Sequence, residues 1–192
     1  MITVVYHKPL SDDWQQAAEQ LQQQLGVAII GRARKQKRVL SRDYVTETLQ
    51  VDGQSFHYRQ IEGGFTQPNG EMNQQMLSWA RRCADGIGGD LLELYCGNGN
   101  FSIALADRFR KVLATEISKT SVQAAQVNIA HNGIENLDII RLSSEEFVQA
   151  LRQKRSLRRW QDSNLHAYDF RTAWVDPPRH GPHQESVDNI QA

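Results

Sequence analysis

The strongest constraint on the fold is a short segment at residues 91–101, which reads Leu-Leu-Glu-Leu-Tyr-Cys-Gly-Asn-Gly-Asn-Phe. Its first residues form a mostly apolar run that predicts a buried strand. Gly97 and Gly99 allow the backbone to turn sharply and to approach a ligand closely. A helix is predicted from Phe101, so the segment is a strand–turn–helix unit. In an open α/β sheet such a turn lies at the carboxyl end of the strand, where ligands bind.

Around this unit, predicted strands and helices alternate regularly. We predict strands at Leu91–Tyr95, Val112–Thr115, Leu137–Arg141 and Ala173–Asp176, and helices at Pro68–Ala84, Phe101–Phe109 and Lys119–Asn132. Ser143 and Glu146 have the spacing of a capping box for one more helix. This alternation predicts an α/β fold, in which helices cover both faces of a parallel sheet.

Residues 1–60 have a different pattern. They predict a strand at Ile2–Tyr6, a helix from Asp12 or Asp13 to Leu25, a strand at Val27–Ile30 and a hairpin around Asp52-Gly53. This part is too small to be a convincing independent domain. We therefore interpret residues 1–60 as a small α+β segment that precedes an α/β domain at residues 61–192.

The composition excludes several classes of protein. No apolar run approaches the roughly 20 residues that cross a bilayer. The two cysteines, Cys83 and Cys96, provide neither a disulfide framework nor a zinc set. We therefore expect a cytoplasmic protein without a metal site. The formal net charge is zero, but basic runs at residues 32–42 and 152–159 could contact phosphates. A solvated surface is the alternative interpretation of both runs.

Two acidic residues lie at the ends of predicted strands. Glu116 lies 19 residues after Gly97, where a carboxylate can accept hydrogen bonds from both ribose hydroxyls of an adenosine. Interaction with a helix dipole is the alternative role. Asp176 is followed by two prolines, which remove N–H donors and leave Asp176 facing the cleft. Ser102 stands where a dinucleotide-binding turn needs its third glycine, so a nicotinamide cofactor is disfavoured.

Four segments carry a resemblance to a known family. They are Gly64-Phe65-Thr66-Gln67-Pro68-Asn69, residues 92–101, Ala114-Thr115-Glu116 and Val175-Asp176-Pro177-Pro178-Arg179. The second segment includes the turn around Gly97 and Gly99, which we call the glycine turn. Together they resemble the tRNA (uracil-5-)-methyltransferase family, and the similarity runs from Tyr6 to Arg179. The resemblance implies a Rossmann-like S-adenosylmethionine-dependent methyltransferase fold, incomplete in this chain. It also implies a bacterial enzyme that methylates carbon 5 of the T-loop uridine in tRNA.

Site residues follow from the resemblance position by position. It implies contacts to S-adenosylmethionine at Gln67, Tyr95, Asn100, Glu116 and Asp176. For Asn100 the alternative role is the N-cap of the following helix. For Tyr95 the alternative role is core packing.

The resemblance also implies catalytic groups that this sequence lacks. The family uses a cysteine nucleophile in a Ser-Cys-Asn-Pro segment and a glutamate base near its C-terminus, and neither segment occurs here. Cys96 lies in the glycine turn, and Cys83 is predicted to pack in the core with Met72, Met76 and Trp79. We therefore expect no catalytic residue in this chain. We interpret it as an internal fragment that keeps cofactor binding and leaves its fourth strand as an unpaired sheet edge.

Two other functions remain open from the sequence. One is a non-catalytic RNA-binding module that uses the basic runs. The other is a methyltransferase that acts on an exocyclic nitrogen of a nucleic acid through Asp176-Pro177-Pro178-Arg179. Such enzymes usually carry an aromatic residue after the prolines, whereas this chain has Arg179.

Overall fold

The computed structural model describes residues 1–144, 146, 147, 149 and 167–177. It contains two compact units. One comprises Met1–Val45 with Gln60–Gly63, and the other comprises Thr46–Arg59 with Gly64–Ala192. Our division of the sequence at residue 60 had assigned residues 46–59 to the first part. In the structure they belong to the α/β unit. The reason is that their apolar side chains are buried in its core.

The first unit is a three-stranded sheet with one helix. Strand β1 (Ile2–Val5) pairs in parallel with β2 (Ile29–Ala33), which pairs antiparallel with β3 (Gln36–Val39). Helix α1 (Asp12–Leu25) lies between β1 and β2 in the chain. Its N-cap is Ser11, whose side chain accepts from the Trp14 N–H. The helix was predicted from Asp12 or Asp13 because either aspartate could cap it, and that choice of cap was wrong. Strand β3 was not predicted, because its sequence is polar and only the pairing with β2 reveals it.

A β-hairpin follows, formed by β4 (Tyr44–Val51) and β5 (Gln54–Ile61). Its turn has positive φ at Asp52 (52°) and at Gly53 (79°), as a type I′ turn requires. The predicted Asp-Gly turn is therefore confirmed.

The second unit contains the alternating elements. They are α2 (Gly70–Ala84), β6 (Asp90–Leu94), α3 (Asn100–Leu105), β7 (Lys111–Glu116), α4 (Lys119–His131), β8 (Leu137–Arg141) and β9 (Phe170–Val175). The four strands are parallel in the order β8-β7-β6-β9. The predicted parallel α/β sheet is confirmed. The predicted capping box is also present, since the Ser143 and Glu146 side chains each accept the other residue's backbone N–H.

The core of this unit lies on both faces of the sheet. Every residue of β6 is buried, and its alternating side chains join two clusters: Leu91 packs with the hairpin, α2 and α3, whereas Leu92 and Leu94 pack on the other face. Helix α2 buries Leu77 and Ala80 against the first cluster.

The opposite face of α2 is exposed. Met72 and Trp79 are 50% and 54% exposed, and Cys83 is exposed as well. The prediction that Cys83 packs in the core with these residues was therefore wrong. The helix has apolar residues on two sides, and only the tertiary structure decides which side is buried. Among the described residues, no helix combines the length and apolarity needed to span a membrane.

Candidate functional site

The register of the sheet brings three predicted site residues to one edge. Leu94 of β6 is level with Thr115 of β7 and with Val175 of β9. The residues that follow these three are Tyr95, Glu116 and Asp176, respectively. All three therefore lie at the carboxyl edge of the sheet. The chain leaves β6 for β7 on one side and returns to β9 on the other, which makes this edge a topological switch point, where α/β proteins bind ligands.

The turn after β6 has an unusual backbone. Tyr95, Gly97 and Gly99 have φ values of 61°, 58° and 86°. The left-handed region costs glycine nothing but is unfavourable for a bulky residue such as tyrosine. Tyr95 is held there partly buried, packed against Leu92, Leu94 and their neighbours. Strained backbone of this kind clusters at functional sites.

Glu116 connects β7 to the glycine turn. One carboxylate oxygen accepts from the Gly97 N–H at 3.0 Å, and the other accepts from the Ser118 N–H at 2.7 Å. Each oxygen can accept more than one hydrogen bond. The carboxylate is therefore fixed beside the turn and can still receive hydroxyl groups of a ligand.

Asn100 is the first residue of α3 and does not cap it. The N-cap is Gly99, which provides no side-chain hydrogen bond. The Asn100 amide instead pairs reciprocally with the amide of Asn73 in α2, with N···O distances of 2.9 and 3.0 Å. The Asn100 carbonyl accepts from the Tyr58 hydroxyl at 2.9 Å. The alternative role as N-cap is thus wrong for Asn100.

A buried carboxyl group lies under the turn. Glu93 of β6 is 1% exposed and accepts a hydrogen bond from the Ser102 hydroxyl. Burial raises the pKa of Glu93 to about 8, and the nearby charges of Asp176 and Glu116 contribute to that rise. Near neutral pH this carboxyl is therefore mostly protonated. Ser102, noted in the sequence only as a missing glycine, is its hydrogen-bond partner.

Cys96 is unsuited to act as a nucleophile. The residue is 4% exposed, and burial raises the pKa of its thiol well above the usual value, with a further contribution from Glu93. A reactive cysteine needs a thiolate and access to its substrate. Cys96 provides neither.

The remaining predicted site residues are Asp176 and Gln67. Asp176 is exposed, although the partial burial of its carboxyl raises the pKa above the usual value. Gln67 is half-buried in the segment before α2. Pro178, Arg179 and the basic run at 152–159 lie outside the described residues.

A separate cavity of about 550 Å³ lies elsewhere in this unit. Its lining includes Phe56 of the hairpin, Phe109 before β7 and Asn136 before β8. The last two residues precede their strands, so the cavity is near the amino edge of the sheet, opposite the glycine turn. Among the described residues, no three His, Cys, Asp or Glu side chains are grouped as a metal ion would need.

Several residues of the arrangement were not identified from the sequence. Glu93 could have been found, because a charged residue in the middle of an apolar strand is uncommon. Asn73, Tyr58 and Asn128 carry no such signal, since asparagine and tyrosine are ordinary on helices and hairpins. Their contacts to the turn join positions 27 to 42 residues apart along the chain, and only the folded structure brings them together.

Comparison with known proteins identifies relatives over the whole chain. A family model described as tRNA (Uracil-5-)-methyltransferase matches residues 1–192. A tRNA/tmRNA (uracil-C(5))-methyltransferase of Colwellia psychrerythraea is 54% identical over 195 aligned residues, which cover 100% of this chain and 54% of the relative. The corresponding enzyme of Neisseria meningitidis is 58% identical and is covered to 52%. The chain thus spans about half the length of the curated relatives it matches.

Solved structures show the fold. The Pyrococcus abyssi tRNA (uracil-54, C5)-methyltransferase in complex with S-adenosyl-L-homocysteine has a TM-score of 0.60 and 20% identity, covering 85% of this chain and 38% of that one. A Thermus thermophilus 16S rRNA N2 G1207 methyltransferase in complex with AdoMet and guanosine has a TM-score of 0.55 and 15% identity, covering 92% and 49%. These similarities confirm the predicted Rossmann-like methyltransferase fold.

Proposed function

Because this chain belongs to the tRNA (uracil-5-)-methyltransferase family, we propose that it binds S-adenosylmethionine at the glycine turn. It does so as part of an enzyme that methylates carbon 5 of a uridine in the T-loop of tRNA. One observation carries the proposal: the Glu116 carboxylate is held against the Gly97 N–H at the switch point of the sheet. In folds of this kind, an acidic residue at the end of the strand that follows the turn binds the ribose of a nucleoside.

The residues of the site fit this cofactor. Glu116 is placed to accept the two ribose hydroxyls. Tyr95 and Asn100 flank the two glycines of the turn, and Asp176 follows β9 at the same edge of the sheet. Gln67 is proposed to reach the cofactor from the segment before α2. Carboxyl groups around the turn also suit a ligand that carries a sulfonium and an ammonium charge.

Titration calorimetry of the chain with S-adenosylmethionine tests the proposal. We expect Glu116→Ala to weaken binding by a factor of about 10 to 150 for each ribose hydrogen bond that is lost, since one hydrogen bond to a charged group is worth about 1.5–3 kcal/mol. Glu135→Ala is the matched control, because Glu135 lies at the opposite edge of the sheet and should leave binding unchanged. A folded wild-type chain that binds no S-adenosylmethionine would remove the central claim.

The cofactor supplies an electrophilic methyl group, and the residues of this chain hold it in place. Carbon 5 of uracil must first be activated by a nucleophile, and neither cysteine is suited: Cys96 is buried with a raised thiol pKa, and Cys83 lies on the outer face of α2. We therefore propose that the chain alone binds cofactor without methylating tRNA. Transfer of methyl to a nucleic-acid nitrogen by the isolated chain would instead favour the alternative based on the Asp176 loop.

We further propose that tRNA contacts the first unit at the turn between β2 and β3. Several cations of the basic run are engaged in ion pairs: Arg32 and Lys37 with Glu62, and Arg38 with Asp12. Arg34 and Lys35 instead lie exposed at the turn itself. Exposed cations on a turn can approach a phosphate backbone and release its counterions.

Filter binding of tRNA over a range of salt concentrations tests this contact. The Arg34→Ala, Lys35→Ala double variant should bind more weakly and reduce the slope of log K against log salt by about 2. Arg38→Ala is the control, because its charge is already paired with Asp12. Equal tRNA binding by the double variant and the wild type would contradict the contact. Undiminished tRNA binding by a chain that binds no cofactor would favour the non-catalytic RNA-binding function.

A further inference from the structure

We infer that Asn73 and Asn128 are positioning residues for the cofactor, which hold the glycine turn in its binding conformation without touching the ligand. The inference rests on the proposed function, since it concerns the same site. The turn contains a tyrosine and two glycines at positive φ. This backbone is unfavourable for tyrosine and only one of several open to glycine, so the residues of the turn do not by themselves favour one conformation. Contacts from outside the turn must therefore select it.

Asn73 acts from helix α2. Its side chain is 2% exposed, and its amide exchanges two hydrogen bonds with the amide of Asn100. A reciprocal amide pair couples the two side chains and holds the Asn100 amide in place, because the oxygen of each must face the nitrogen of the other. Asn100 keeps one N–H and further acceptor capacity for a ligand. Asn73 thus sets the orientation in which Asn100 meets the cofactor.

Asn128 acts from helix α4. It is fully buried, and its amide bridges two segments: the nitrogen donates to the Asn98 carbonyl in the turn at 3.0 Å, and the oxygen accepts from the Arg59 N–H of β5 at 2.7 Å. The Asn98 side chain reaches the Arg59 carbonyl in return. Asn128 therefore ties the turn to the hairpin strand.

Asn132 offers a matched comparison one helical turn away. Its amide also grips β5, accepting from the His57 N–H at 2.9 Å and donating to the His57 carbonyl at 2.7 Å. Asn132 is the C-cap residue of α4, and it shares with Asn128 the type of side chain and the attachment to the hairpin. The difference is that Asn128 also bonds the glycine turn. The Asn132→Ala variant therefore measures how much the link between helix and hairpin alone affects cofactor binding.

The experiment measures two properties of the chain in Asn128→Ala, Asn73→Ala and Asn132→Ala. The first is the Kd for S-adenosylhomocysteine by calorimetry at a temperature where all variants are folded. We expect about a tenfold or greater weakening in the Asn73 and Asn128 variants and less than about a twofold change for Asn132→Ala. The second is amide hydrogen exchange of residues 97–101 without ligand, which should accelerate in the first two variants and not in the third.

The two measurements separate the inference from the function it rests on. If the wild type binds no S-adenosylhomocysteine, the proposed cofactor site fails, and exchange at residues 97–101 still decides whether the two asparagines hold the turn. Equal Kd and exchange in Asn128→Ala and Asn132→Ala would overturn the role of Asn128. Additive effects of Asn73→Ala and Asn100→Ala in a double-mutant cycle would overturn the role of Asn73, because a residue that acts through Asn100 must couple to it.

Discussion

Replacing Glu93 with glutamine should make the protein more stable at alkaline pH. Glu93 is an acid whose pKa rises on folding, from 4.5 to about 8, because of burial. Between these two values the folded state binds more protons than the unfolded state, so the free energy of unfolding falls as the pH rises. The loss begins near pH 4.5 and is complete above about pH 8.

The size of the effect follows from the same two values. At about 1.4 kcal/mol for each pH unit, the rise from 4.5 to about 8 amounts to about 4–5 kcal/mol. Glutamine keeps the shape and an oxygen that accepts from Ser102, and it has no charge to desolvate. We therefore expect Glu93→Gln to match the wild type near pH 5 and to exceed its stability by several kcal/mol at pH 8.5.

Urea denaturation at pH 5, 6.5 and 8.5, followed by tryptophan fluorescence, measures the difference. Subtracting the two curves cancels the titration of groups that both proteins share. Ser102→Ala is a second variant: the Ser102 hydrogen bond lowers the pKa of Glu93, so its loss should move the upper end of the transition to higher pH. A difference between Glu93→Gln and wild type that is the same at all three pH values would refute the reasoning.

Two further predictions concern packing. Gly31→Ala should lower the free energy of unfolding by about 1–3 kcal/mol, because a methyl group there would overlap the ring of Trp14; an unchanged urea midpoint would show that α1 moves away freely. Arg81→Met should cost about 2–3 kcal/mol, since the Arg81 side chain is 1% exposed and binds Asp52 and Asp107. The cost is below that of a fully buried pair, because Asp52 and Asp107 are 35% and 47% exposed and can be hydrated again. A midpoint within error of the wild type would contradict this estimate.

The sequence by itself determined the architecture of the α/β unit. The apolar run of β6, the two glycines after it and the alternation of later elements fix a parallel sheet, because strand and helix periodicity and turn chemistry are local properties of the chain. The Asp52-Gly53 turn was predictable for the same reason. Glu116 could be identified because its distance from the turn is a property of the strand–helix–strand unit.

The tertiary structure decided what surrounds the turn. Strand β3 exists because β2 pairs with it, and Cys83 is exposed because α2 buries its other face. The amides of Asn73 and Asn128 reach the turn from helices that are distant in sequence, and the raised pKa of Glu93 depends on burial by elements on both sides of β6. Such contacts depend on which surfaces meet in the folded chain, and no local pattern of residues encodes that.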